Sequence, residues 1–310
     1  MSAKIAFVFP GQGSQSIGML AELGAQYAVV TNTFAEASEV LGYDLWELVQ
    51  LDEHNQLSQT HITQPALVAA SVSLWRLWLQ QGGATPILLA GHSLGEYSAL
   101  VCSGALDFAD AIRLVEARGR FMQVAVPSGE GAMAAIIGLD NDVVAGVCKA
   151  SAEDQVVVPV NYNAPGQVVI AGSKPAVERA MVACKESGAR AVMPLPVSVP
   201  SHCELMLPAA EQLRVLLEST KVVMPTIPVV QNVDGKVAGS VNAIVSKLVT
   251  HLIEPVLWTQ CVESIAASGI DLVIECGPGK VLNGLSKRIN KTLQTASINN
   301  AALLAATLEQ

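Results

Sequence analysis

The 310-residue chain is 51% hydrophobic, 15% charged and 4% aromatic, with a formal net charge of −9. Such a composition buries a sizeable core built mostly from Ala, Val, Leu and Ile, and it excludes a disordered chain. The acidic balance argues against nucleic-acid binding, which needs a basic surface, although a local basic patch stays compatible with it. Mean hydropathy is +0.43, yet nowhere do about eighteen apolar residues run together, so no membrane span is expected.

Ile5 to Phe9 reads as a buried first strand, ended by Pro10-Gly11 and too short for a signal-peptide core. The loop that follows, Pro10-Gly11-Gln12-Gly13-Ser14-Gln15, superficially matches a dinucleotide fingerprint, but Ser16 stands where its third glycine belongs. A flexible loop that brings Gln12 and backbone amides to a site is the better expectation. His54 and His61 lie in a polar stretch between helical segments and read as surface residues.

Ile87 to Ala90 reads as a second strand and runs into Gly91-His92-Ser93-Leu94-Gly95. A helix follows, with Leu94, Tyr97, Leu100 and Val101 on one stripe. Strand, sharp turn and helix are the context that a G-x-S-x-G elbow requires, which makes Ser93 the candidate nucleophile. The glycines relieve crowding where the backbone bends, and N–H groups at the helix start are available to an oxyanion. The competing reading is a serine that merely caps the helix. His92 adjoins Ser93 on the elbow, so its ring should point elsewhere and the base is sought among other histidines.

The helix after Asp107 carries Phe108, Ala111, Val115, Arg118 and Met122 at spacings of three and four, which share one face. Arg118 therefore lies on an apolar stripe. A buried guanidinium is costly without an anionic partner, and its planar fork suits a carboxylate. Either it anchors an acidic substrate, or it pairs with a structural Asp or Glu or extends to solvent; the residues alone leave these open.

Gly131 to Gly138 reads as a strand, and Asp140 caps a helix with Val143, Val144 and Val147 on one face. Val156 to Val160 and Gln167 to Ala171 are strands separated by the turn sequence Asn163-Ala164-Pro165-Gly166. Ser173 and Pro175 start a helix striped by Val177, Ala180, Met181 and Cys184, and Ala191 to Met193 is a short last strand. The order β-α-β-β-α-β is the ferredoxin-like unit. The expected fold is α/β: a large parallel-sheet domain of residues 1–127 and 197–310, with a small domain of residues 128–196 inserted between prolines.

Of the five histidines, His202 and His251 remain as candidates for the base. His202 lies in a loop after the inserted domain and before a helix starting near Glu204, whereas His251 reads as a helix-end residue after Ile244 and Leu248. Loop placement favours His202. Asp271 to Cys276 is a late strand. The six cysteines lack C-x-x-C spacing and mostly sit in apolar stretches, so buried free thiols and a reducing cytoplasm are expected.

Six motifs occur in order: Phe9 to Gln15, Thr63-Gln64-Pro65-Ala66, Gly91 to Glu96, Arg118-Gly119-Arg120, Pro200-Ser201-His202-Cys203 and Glu275-Cys276-Gly277-Pro278-Gly279. Together they resemble the bacterial malonyl-CoA:acyl carrier protein transacylases across essentially the whole chain. The resemblance implies an α/β-hydrolase-like large domain and a ping-pong transfer. Malonate would pass from coenzyme A to Ser93, with His202 as base, and then to the phosphopantetheine thiol of acyl carrier protein. No metal or cofactor is implied. It maps the oxyanion hole to the N–H groups of Gln12 and Leu94 and the malonyl carboxylate to Arg118. Gln64 and His92 become substrate-binding residues. His251 stands where many relatives carry a glutamine whose main-chain carbonyl orients the catalytic histidine, so its carbonyl inherits that role.

Lys280, Lys287 and Lys291, with Arg288 adjacent, are expected on the final helix as a docking face for an acidic carrier protein, with a plain solvated face as the competing reading. A polyketide-pathway acyltransferase or a thioesterase could use the same elbow. A catalytically silent scaffold is disfavoured by the intact Ser93, His202 and Arg118.

Overall fold

Ten strands run through the described residues, 4–197 and 199–310 of this computed structural model. They are β1 (Ile5–Phe9), β2 (Leu88–Gly91), β3 (Gly131–Ile137), β4 (Val157–Ala164), β5 (Gln167–Ser173), β6 (Ala191–Pro194), β7 (Val229–Gln231), β8 (Lys236–Val237), β9 (Leu272–Glu275) and β10 (Gln294–Ser297). Six form a sheet in the order β10-β9-β1-β2-β7-β8, parallel except for the β7–β8 pair. Side chains alternate across a strand, so β1 sends Ile5, Phe7 and Phe9 into one apolar cluster and Ala6 and Val8 into another. Both faces are covered, which is why the central strands β1 and β2 read as unbroken apolar runs, whereas the edge strand β10 does not. Ile87 is the exception: it is 46% exposed, and the strand begins one residue later.

The other four strands form an antiparallel sheet in the order β4-β5-β3-β6, the ferredoxin-like arrangement. The helices Asn141–Ala152 and Lys174–Glu186 pack on one of its faces through Val144, Cys148, Val177 and Ala180. The opposite face meets Cys203 of the large domain. The free edge of β4 is closed by Val256, which donates to the Val160 carbonyl and accepts from the Tyr162 N–H. We propose residues 128–196 as the limits of this small domain.

Three local expectations need correction. β4 runs on to Ala164, so the turn is only Pro165-Gly166, with Gly166 at φ 68°, because Ala164 still pairs with Gln167. Val143 is 42% exposed; the helix buries Val144 and Cys148 instead, and Asp140 precedes it without a side-chain cap bond. The helix carrying Lys287 and Arg288, Val281–Ile289, is not the last: Ala301–Leu308 follows. Among the described residues, no helix is long and apolar enough to cross a membrane.

In the large sheet β1 has β2 on one side and β9 on the other, so the loops leaving β1 and β2 open a crevice at their carboxyl ends, where open α/β sheets hold ligands. Glu275, at the end of β9 and fully buried, accepts from the N–H groups of Leu282 and Asn283 and so caps the helix Val281–Ile289 beside that crevice. Burial pushes its carboxyl up to about 7, against those hydrogen bonds. Glu275→Ala should cost about 2 kcal/mol in urea unfolding, and Glu275→Gln, which keeps one acceptor, distinctly less. Equal stability of the alanine variant and the parent would rule out the cap.

Candidate active site

The elbow is shaped by what surrounds its glycines. A Cβ on Gly91 would lie 1.9 Å from the Gly95 carbonyl carbon, and one on Gly95 would lie 2.1 Å from the Phe9 carbonyl oxygen. Only hydrogen fits at either place, so β1 and the helix Gly95–Cys102 close tightly around the turn. Ser93 is thereby held at φ 51°, a conformation that costs a non-glycine residue energy and persists only where neighbours impose it. Its hydroxyl projects from the turn, half-buried, and makes no helix cap.

Opposite stands His202, 3% exposed and itself at φ 66°. Its Nε2 lies 2.8 Å from Ser93 Oγ, and its Nδ1 lies 2.6 Å from the His251 carbonyl oxygen. That carbonyl can only accept, so Nδ1 carries the hydrogen and Nε2 is left to accept from the serine hydroxyl. Burial pushes His202 down to about 3, assisted by the Arg118 charge and opposed by the His251 carbonyl. The imidazole is neutral at physiological pH, the form in which it can take a proton.

Arg118 is 2% exposed on the helix Phe108–Ala125, packed as the periodicity predicts. Its Nη1 donates to Gln64 Oε1 at 2.8 Å, the Tyr97 ring lies 5.6 Å away, and Nε has no partner. Among the described residues no carboxylate comes within ion-pair distance of it. A cavity of about 370 Å³ joins these groups, lined on one side by Gln12, Ser93 and Arg118 and on the other by Met133, Asn161 and Val169. The N–H groups of Gln12 and Leu94 have no hydrogen-bond partner among the described residues and are free to meet an anion. The Gln12 loop is tied down: Ser14 Oγ and N–H donate to the Gly11 carbonyl, and Gly11 packs against the His92 backbone.

His92 turns away from Ser93, as expected, and its Nε2 lies 2.7 Å from Asn163 Oδ1. His54 is exposed, whereas His61 lies in the first turn of the helix Thr60–Gln80 and bonds Gln123 at 2.6 Å. Lys280, Lys287, Arg288 and Lys291 are exposed, but Lys280 precedes their helix and Lys291 follows it, so one helical face does not hold all four.

The sequence reading missed Asn232. Fully buried, its Oδ1 accepts the Ser93 N–H at 2.7 Å and its Nδ2 donates to the Gly91 carbonyl at 2.6 Å, clamping the elbow from β7. Glu96 accepts the Asn232 N–H at 2.9 Å and Gln231 Nε2 at 2.9 Å. A lone asparagine after a short strand carries no local signal for such a role, and Glu96 entered only as the last residue of the Gly91-to-Glu96 motif, with no role assigned. His251 Nδ1 approaches Glu96 Oε2 at 3.7 Å, but this is no ion pair, because burial holds His251 neutral.

Acid should therefore destabilise the fold. His251 sits well below its ordinary 6.5 when folded, chiefly through burial, so the unfolded chain binds the extra proton as pH falls below that value. Glu96 and Glu275, both raised to about 7, act in the opposite sense, losing stability as pH rises from 4.5. His251→Gln should make the loss of unfolding free energy between pH 5.5 and 4 shallower by about 1.4 kcal/mol per pH unit. Urea titrations at a series of pH values measure this, and an unchanged slope would mean that folded His251 is protonated.

Known proteins resemble this chain over nearly its full length. Residues 6–309 match the model of the acyl transferase domain family. The malonyl CoA-acyl carrier protein transacylase of Salmonella typhimurium is 60% identical over 307 residues, covering 99% of each chain. A crystal structure of an acyl carrier protein S-malonyltransferase from Vibrio cholerae superposes with a TM-score of 0.95 at 58% identity, covering 98% of this chain and 99% of that one. The structure of a type II PKS acyl-carrier protein in complex with its malonyl-transacylase gives 0.98 at 57% identity over 99% of each. The chain thus belongs to the acyl transferase domain family, alongside its malonyl CoA-acyl carrier protein transacylases.

Proposed function

We propose that this chain carries malonate from malonyl-CoA to the phosphopantetheine thiol of an acyl carrier protein for fatty acid synthesis, through an ester on Ser93. One observation supports the choice of acyl group above others: Arg118, 2% exposed and without a carboxylate partner, lines the cavity that Ser93 opens into. A substrate ending in a carboxylate would supply the missing partner, and its thioester carbonyl would lie toward Ser93.

Ser93 Oγ attacks that carbonyl while His202 Nε2 takes the hydroxyl proton. The N–H groups of Gln12 and Leu94 receive the oxyanion, and His202 returns the proton to the departing coenzyme A sulfur. The carrier thiol then attacks the ester, giving its proton to His202, which restores the Ser93 hydroxyl. The His251 carbonyl keeps the His202 tautomer constant through both halves. Gln64 holds the Arg118 fork from one side, and His92, tied to Asn163, contributes to the wall along which the thioester arm lies.

Val281, Leu282 and Leu285 line the same cavity, from the helix that also exposes Lys287 and Arg288. A carrier docking on Lys280, Lys287, Arg288 and Lys291 would therefore deliver its arm past that helix. Six buried free cysteines fit a cytoplasmic location.

Incubation with malonyl-CoA should add one malonyl group to the intact mass, and carrier protein should remove it. An undiminished adduct on Ser93→Ala would refute the ester. Arg118→Ala should lower kcat/KM for malonyl transfer about a hundredfold without lowering it for acetyl; equal losses would make Arg118 structural. Charge reversal of Lys287 and Arg288 should raise KM for the carrier about tenfold and leave adduct formation alone. An unchanged KM would move the docking face elsewhere.

A further inference from the structure

The reaction steps above use the main-chain carbonyl of His251, which any residue would supply, and leave its side chain without a task. That ring lies 4.7 Å from the His202 ring, centroid to centroid, tilted by 32°. It is 1% exposed, and its Nδ1 stands 3.7 Å from Oε2 of Glu96, also 1% exposed. At hydrogen-bond distance that approach would have Nδ1–H donating to the carboxylate. Glu96 and His202 are thus separated by a single ring that touches both.

We propose that Glu96 is the counter-charge of His202 in this chain and that the His251 ring, packed against both, transmits its effect. Both are positioning residues, and the proposal rests on the reading of His202 as the base. When the Ser93 O–H bond breaks and the proton moves to Nε2, His202 becomes a cation in a buried cluster where Arg118 already contributes one positive charge. A carboxylate in the same cluster offsets that charge far better than one in water would. An imidazole donating Nδ1–H to a carboxylate becomes electron-rich, and its face then favours a cation stacked on it. The glutamine that the resemblance places here in many relatives offers no such face.

The surroundings fit this role. Gln231 and Asn232 donate to the two Glu96 oxygens, Arg118 approaches from its own helix, and His92 from the elbow. Lys247, on the helix that ends at His251, also acts on Glu96 while paired to Asp234 at 2.9 Å. Burial pushes Glu96 up to about 7, against the bonds from Gln231 and Asn232 and the charges of Lys247 and Arg118. Its carboxylate therefore forms as pH rises through neutrality. His251 stays neutral throughout, held down chiefly by burial and further by the Arg118 charge.

The test avoids ionisable substrates. Phenylmethanesulfonyl fluoride, a neutral reagent, transfers its sulfonyl group to Ser93 Oγ with loss of fluoride as His202 takes the proton. The rate is followed by intact mass on the full chain from pH 5 to 9. Wild type should accelerate about tenfold across pH 7. Glu96→Gln should stay at the slow rate with no step, and His251→Gln should show a step of less than about threefold. A full step in either folded variant overturns the proposal; thermal midpoints establish folding, and if one variant does not fold the other decides. An unaltered rate in His202→Ala would remove the base itself and the proposal with it, an outcome distinct from a lost step in Glu96→Gln.

Discussion

The site depends on a turn into which no side-chain carbon fits at either glycine. Gly91 and Gly95 bring β1, β2 and the helix Gly95–Cys102 so close that their absent Cβ atoms would lie within 2.1 Å of backbone atoms. Asn232 then closes the third side by holding the Ser93 N–H and the Gly91 carbonyl with one amide. A strained serine is tolerable under these conditions, because relaxing it would break packing and buried hydrogen bonds together. The same closure aims the hydroxyl at His202 and leaves the Leu94 N–H open beside it.

Charge is handled with similar restriction. Arg118, His92 and His202 line the cavity, with the His251 ring and the Glu96 carboxyl buried nearby, and burial drives the imidazoles and the carboxyl toward their neutral forms. Arg118 alone must stay charged, since a guanidinium does not give up its proton in a protein. A main-chain carbonyl behind His202 fixes the tautomer without adding an anion that Arg118 could capture. An aspartate at that place would orient His202 equally well, but it would compete with an acidic substrate for the arginine.

What could be read from the sequence follows from the range of the forces involved. The elbow was legible because its glycine requirement is local, and Arg118 because a helix repeats every three or four residues. β4 ends where its pairing with β5 ends, a long-range matter, so its last two residues passed for turn. Val143 lies on an apolar stripe in sequence but faces solvent, because the stripe that packs is centred on Val144 and Cys148. Asn163 and Asn232 are ordinary loop-forming residues by composition, and only the meeting of β4 and β7 with the elbow gives them partners. The His251 side chain was legible only as a departure from its relatives, since its contacts with His202 and Glu96 join three separate segments.

The proposed roles also make substrate and base interdependent. Arg118 is one of the groups that holds His202 near 3, next in weight to burial. A carboxylate docked on Arg118 would cancel that charge in a low-dielectric site, where a nearby opposite charge shifts a pKa by a unit or more, roughly. His202 would then become a stronger base at the moment an acidic acyl group is in place and would remain weak when the cavity holds water or a neutral acyl chain. Discrimination would thus act on the proton transfer as well as on binding, and a neutral thioester that managed to enter would react slowly for want of a competent base. The unpaired arginine, costly to the fold, serves recognition and activation through the same missing partner.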